Sequence, residues 1–172
     1  MRVTVETQRM VLRPMVPEDY EEAFQWCGDP QVNTYMIYPL YTKAEDVRTW
    51  LEGRDLDDPD NYDLGFELKE TGELIGSGGL VYDPEKDVWT VGYNIRVDQW
   101  GKGLVPEAIQ GLIDYVRRVR KVRAIEGVFA AENYQSQRVM EKLGMHYVCD
   151  TEYDKLDGSR HYEAKLFRRE FT

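Results

Sequence analysis

The sequence predicts an α+β protein: a central, twisted, mostly antiparallel sheet with one parallel crossover, flanked by helices. Three observations predict it. The alternating stretches 64–69, 73–82 and 88–97 follow one another through connections too short for parallel crossovers, so they form an antiparallel meander. A long amphipathic helix then separates the third of them from the apolar stretch 125–130, and such a strand–helix–strand unit calls for a parallel pair. Finally, stretches 145–153 and 161–167 are joined through Asp157-Gly158, which reads as a hairpin turn. Strands and helices mixed in this way make a layered architecture.

Each element has its own signal. Residues 8–13 read as a first strand, with Met10 and Leu12 on one face. Pro17-Glu18-Asp19 opens a helix, since proline suits a first turn and acids favour its positive end. That helix runs to about Cys27 and stops at Gly28-Asp29-Pro30. A short helical piece covers 31–36, and another helix covers 43–53. Residues 54–63 carry Asp55, Asp57, Asp58, Asp60 and Asp63 and read as an exposed loop. Its acids are either simply solvated or form a lip that attracts a cation. Gly76, Gly78 and Gly79 fall inside one strand, where glycines mark a bulge or a close backbone approach. Leu104, Ala108, Ile109, Leu112, Ile113 and Val116 share one face of the long helix. Its basic end, Arg117 to Lys121, complements the helix dipole. Asn133 is a good N-cap for a helix over 134–143, which Gly144 ends.

The chain of 172 residues suggests a single domain spanning 1–172, long enough to bury a core without staples. Its net charge of −10 argues against nucleic acid as a partner. That charge suits a cationic substrate, and equally suits ordinary solubility. No apolar run approaches the ~20 residues that cross a bilayer. The opening Met1–Glu6 lacks the apolar stretch of a secretion signal, so the expected location is cytoplasmic and no membrane partner is expected. Cys27 and Cys149 read as structural. His146 lies three residues before Cys149, but no second ligand pair stands nearby, and on a strand that offset puts the two side chains on opposite faces. No metal site is expected.

The informative segment is Gln99-Trp100-Gly101-Lys102-Gly103-Leu104-Val105-Pro106-Glu107. Two glycines leave backbone N–H groups uncovered, a helix N-terminus follows at once, and Lys102 adds a positive charge. Together they make a cradle for a pyrophosphate; the plainer reading is a glycine-rich turn. The segment lacks both the Walker pattern and the third glycine of a dinucleotide fingerprint.

This loop resembles the coenzyme A pyrophosphate motif of the GNAT N-acetyltransferases, [QR]-x-x-G-x-[GA], with Trp100 in place of Gln or Arg. Its form is similar to the W-G-K-G-Y-A-T-E-A of the subgroup that contains the ribosomal-protein N-terminal (alanine/serine) acetyltransferases. Trp100 to Gly103 and Glu107-Ala108 match, while Val105 and Pro106 depart from it. Glu6-Thr7-Gln8-Arg9-Met10-Val11-Leu12-Arg13-Pro14 is similar to the family's E-T-x-R-L-x-L-R-P, and Asp29-Pro30-Gln31-Val32 to its D-P-E-V. Asn133 to Ser136 with Val139 to Met145 is similar to N-x-x-S-x-x-V-L-E-K-L-G-F.

The resemblance implies the GNAT fold and transfer of an acetyl group from acetyl-CoA, a co-substrate, to a primary amine by direct attack in a ternary complex. The acceptor would be a protein N-terminus or a small amine. It implies coenzyme contacts at Ile95, Val97, Trp100, Gly101, Lys102, Gly103, Leu104, Val105, Asn133 and Ser136, in a gap between strands ending near Val97 and Ala130. Met140 stands where many members have a catalytic tyrosine, so Ser136 becomes the candidate acid. Glu152 is the candidate base, with Glu126 a weaker one. Arg138 and Lys142 either meet the 3′-phosphate or form a solvated face. The acceptor side would come from the N-terminal helices and the final hairpin, and the chain would act as a monomer or homodimer. The departures at Met140 and Pro106 also fit an acyl-CoA-binding or interaction module without catalysis.

Overall fold

The computed structural model describes residues 3–172; Met1 and Arg2, part of the opening segment weighed as a possible secretion signal, lie outside the described residues. Among the described residues eight strands form one sheet in the order β1-β2-β3-β4-β5-β6-β8-β7. Strands β1 (Val5–Glu6) and β2 (Met10–Arg13) come first, followed by helices α1 (Tyr20–Cys27), α2 (Pro30–Asn33) and α3 (Ala44–Glu52). The meander is β3 (Asn61–Leu68), β4 (Leu74–Asp83) and β5 (Val88–Ile95). The crossover helix α4 (Leu104–Val119) leads to β6 (Ala124–Ala130), and α5 (Tyr134–Lys142) leads to the closing pair β7 (His146–Asp154) and β8 (His161–Glu170). The pair β5–β6 is parallel and the others are antiparallel, as the crossover argument requires.

Strand alternation divides the core. Tyr62, Phe66, Leu80, Trp89, Val91, Ile125 and Phe167 pack beneath the apolar stripe of α4, with Ile109, Leu112 and Ile113 at or below 1% exposed. A second cluster, Met15, Ala23, Trp26, Val47, Leu51 and Leu74, seats α1 and α3 against β4.

Several boundaries differ from the sequence reading. β3 starts at Asn61, three residues early, so Asp63 is a strand residue paired with Gly79. Buried Tyr62, 5.6 Å from the Trp89 ring, begins the alternation inside the acidic run that hid it. The two-residue β1 is too short to show any period. β5 ends at Ile95, and Val97–Gln99 form a 3₁₀ turn. The glycine run marks close approach: a Cβ at Gly79 would stand 1.7 Å from the Tyr62 carbonyl oxygen. In β7 a bulge lies between Tyr147 and Cys149, so His146 pairs with Arg168 and Cys149 with Leu166. Those partners are two apart on β8, so His146 and Cys149 share a face, correcting the opposite-face expectation. Both are exposed, and neither belongs to a potential metal-binding group among the described residues.

Candidate functional site

The site begins where β5 and β6 part. They pair at Trp89–Ile125 and Thr90–Glu126, and no further pairing joins them. Arg96 N–H donates to the Ile75 carbonyl on β4. Alternation therefore turns the N–H groups of Tyr93 and Ile95 to the other edge, toward the opening left by β6.

The glycine loop closes one end of that opening. Gly101 and Gly103 have φ of 75° and 74°, a left-handed conformation that glycine adopts without a Cβ penalty. Gly103 is the N-cap of α4, so the first N–H groups of that helix open onto the loop. The Trp100 indole N–H donates to the Ile95 carbonyl at 3.0 Å and folds the loop back over the strand end. Glu107 anchors the helix: it accepts from the Thr7 hydroxyl at 2.7 Å, the Arg9 N–H at 2.9 Å and the Arg9 guanidinium at 2.7 Å. Burial acts to raise its pKa, but these donors outweigh it and hold the carboxyl below its ordinary value.

The loop, the free edge of β5 and the first turn of α5 enclose a cavity of about 710 Å³. Ile95, Trp100, Gly101, Gly103, Leu104, Val105, Asn133 and Ser136 line it, together with Pro106, Arg138 and Lys142. Val97 does not: its carbonyl is taken by the Trp100 N–H. Lys102 is also outside the lining; its ammonium holds the Gln99 amide oxygen and its carbonyl accepts from Arg9. On its wall, Ser136 Oγ meets the Tyr93 hydroxyl at 3.0 Å and Asn133 Nδ2 at 3.2 Å. Asn133 Oδ1 caps α5 by accepting from Ser136 N–H. Met140 is buried with its methyl end against Gly127, as a core residue.

A second cavity, of about 450 Å³, lies between the opposite sheet face and the α1–α3 layer. Val32, Met36, Tyr93 and Asn94 line both cavities, so the two meet at the β5 edge. Carboxylates line the second cavity, Asp55, Asp58 and Asp63, whereas among the described residues none lines the first. Burial pushes the Asp63 carboxyl up, opposed by Arg54, whose Nη2 lies 3.3 Å from Oδ2. The Cys27 thiol on the same wall is pushed up to about 12 by burial, with Asp63 adding to the effect.

The final hairpin holds the segment between α2 and α3 without lining either cavity. Lys155 donates to the carbonyls of Asn33 at 2.9 Å and Met36 at 2.7 Å, and Tyr153 to that of Tyr35 at 2.7 Å. Tyr162 donates to the Thr34 carbonyl.

Glu152 is not brought to either cavity. It is exposed on β7, 3.7 Å from His161, in a group with Glu163 whose ligand atoms lie within 4.8 Å of one another. Glu126 is buried, and its carboxylate is engaged by the Arg168 guanidinium at 2.8 Å. Sequence reasoning missed Tyr93. Its signal was a hydroxyl on the apolar face of β5, where a phenol needs a partner.

Residues 9–146 match the family described as "Acetyltransferase (GNAT) domain". The chain is 31% identical over 176 residues to "Uncharacterized N-acetyltransferase p20" of Bacillus licheniformis, covering 98% of each. Its fold is similar to a structure titled "RimL- Ribosomal L7/L12 alpha-N-protein acetyltransferase in complex with Coenzyme A", with TM-score 0.82, 16% identity and 98% of both chains covered. It is also similar to "Microcin C7 self immunity acetyltransferase MccE in complex with Acetyl-CoA and AMP", with TM-score 0.79, 17% identity and coverage of 95% and 93%.

Proposed function

The chain belongs to the GNAT acetyltransferase family and is an acetyl-CoA-dependent N-acetyltransferase, and from that premise we propose how its two cavities divide the reaction. Acetyl-CoA occupies the first, with its pyrophosphate on the loop from Trp100 to Val105 and its pantetheine arm along the free edge of β5. Arg138 and Lys142 meet the terminal phosphate. A primary amine, carried as ammonium, enters through the second. The observation that carries this reading is the meeting of the two cavities at Tyr93 and Asn94, on an edge whose N–H groups have no partner strand.

The amine attacks the thioester carbonyl directly, and holding both reactants at one strand edge supplies most of the acceleration. The N–H of Tyr93 or Ile95 stabilises the oxyanion that forms. Ser136 faces the leaving sulfur. Asp63 receives the ammonium, a role for which its place on the cavity wall suits it better than the exposed Glu152. RimL is by its name an alpha-N-protein acetyltransferase; here a protein N-terminus and a small cationic amine both suit an acid-lined cavity. One chain forms both cavities, so a monomer suffices. Dependence on acetyl-CoA and two unpaired cysteines suit the cytoplasm.

The test is a thiol-release assay with acetyl-CoA across amino acids, polyamines, amino sugars and short peptides with free N-termini. Turnover of at least one cationic amine supports the reading. Coenzyme binding without thiol release across the whole set favours a binding module instead.

A further inference from the structure

We propose that Tyr93 is a positioning residue for the departing coenzyme sulfur: it locks the Ser136 hydroxyl proton toward the first cavity, where that hydroxyl stabilises the thiolate by hydrogen bonding and does not surrender its proton. The proposal rests on acetyl-CoA occupying that cavity.

The argument is one of donors and acceptors. A serine hydroxyl has one proton to give and two lone pairs to fill. Asn133 Oδ1 accepts from Ser136 N–H at 3.3 Å, which fixes the amide so that Nδ2 faces Ser136 Oγ, 3.2 Å away. The second neighbour is the Tyr93 hydroxyl at 3.0 Å. A phenol is a far stronger acid than an alcohol, so Tyr93 donates and Ser136 accepts. With both lone pairs filled, the serine proton has only the remaining direction. All three residues line the first cavity, and we take that direction to lead into it.

Magnitudes decide between donation and transfer. A thiol ionises near 8.5. Burial pushes the Tyr93 phenol up to about 12. Passing a proton from Tyr93 through Ser136 to sulfur is therefore uphill. Serine alone is weaker still as an acid. The balance closes without either. The C–N bond forms, the C–S bond breaks with its electron pair going to sulfur, and the ammonium loses two protons. One balances the sulfur when free thiol leaves, and the other goes to solvent. Met140, buried against Gly127, has no hydroxyl to offer; the phenol arrives from β5 instead.

The test uses coenzyme A itself as probe and needs no acceptor. Its binding to wild type, Tyr93→Phe, Ser136→Ala and the double variant is measured by calorimetry at a pH where the thiol is protonated. The bound thiol is then titrated by the ultraviolet absorbance of the thiolate. In the wild type it should ionise about one pKa unit below the free coenzyme. Each single variant should abolish that shift, and the double variant should do no more. Equal thiol titration in wild type and variants that bind the coenzyme overturns the proposal, as do additive losses in the double variant. Should Tyr93→Phe fail to fold, Ser136→Ala still tests the donor on which the role of Tyr93 depends, and an unchanged shift there overturns the proposal. A wild type that binds no coenzyme sinks the coenzyme reading itself, a separate and recognisable result.

Discussion

Arg9 and Glu107 are 98 residues apart in the chain and meet at 2.7 Å, guanidinium to carboxylate, beside the glycine loop. The same guanidinium donates to the Lys102 carbonyl at 3.0 Å. One side chain thus ties the loop to the first turn of α4, which explains why an arginine after β1 and a glutamate in α4 belong to one resemblance. Glu107→Gln should cost about 2 kcal/mol of stability at neutral pH, by urea unfolding, and weaken acetyl-CoA binding severalfold. The pH dependence has a definite sign. A carboxyl held below its ordinary 4.5 contributes stability that is fully present above that value and is lost as pH falls through the lowered one. The gap between wild type and Glu107→Gln should therefore close in acid.

Asp63 sets the second prediction. Asp63→Asn should raise the acceptor KM about tenfold, the effect of losing roughly one charge-assisted contact, while leaving acetyl-CoA affinity unchanged. Because burial raises this carboxyl above 3.8, wild-type kcat/KM for the amine should climb with pH as Asp63 ionises. That limb should be absent in Asp63→Asn. A variant that weakens coenzyme binding instead would move Asp63 out of the acceptor role.

How much of this was legible in the sequence follows from the range of each signal. The meander, the crossover and the glycine turn rest on local periodicity and on paired glycines, and local patterns carry both, whereas the insertion of β8 between β6 and β7 is set by long-range pairing. The start of β3 did not show, because Asn61 and Asp63 continue an acidic run that reads as loop until Tyr62 is seen in the core. The β7 bulge leaves no mark in the sequence, yet it decides which face His146 and Cys149 occupy. Asn133 and Ser136 carried a motif, but Tyr93 joins them from 43 residues away in sequence, a meeting fixed only by the splay of β5 from β6. Glu152 was chosen by its place in the resemblance. On β7 that place faces His161.

The cysteines should differ sharply in reactivity. Burial pushes the half-buried Cys27 thiol up to about 12 and keeps it protonated, whereas Cys149 is exposed. Iodoacetamide at pH 7.5 should modify Cys149 and leave Cys27 intact in the folded protein, read by peptide mass spectrometry. Equal labelling would contradict the burial of Cys27.

Lys155 links the last hairpin to a segment that lines both cavities. Its ammonium is held by the Asn33 and Met36 carbonyls, and Met36 lines both cavities. Lys155→Met should leave those carbonyls without their donor and cost about 1–3 kcal/mol of stability. It should also raise the KM for coenzyme and acceptor together. A rise confined to one substrate would show that the segment responds to the hairpin on one side only.

The central claim, that the loop from Trp100 to Val105 holds acetyl-CoA, is tested most directly by calorimetric titration of the wild type and of Gly103→Asp, after circular dichroism confirms that the variant folds. Aspartate at φ 74° adds both strain and a negative charge where the pyrophosphate is placed. Micromolar binding in the wild type and at least a hundredfold weaker binding in the variant is the predicted result. Equal binding in both, or none in the wild type, would contradict it.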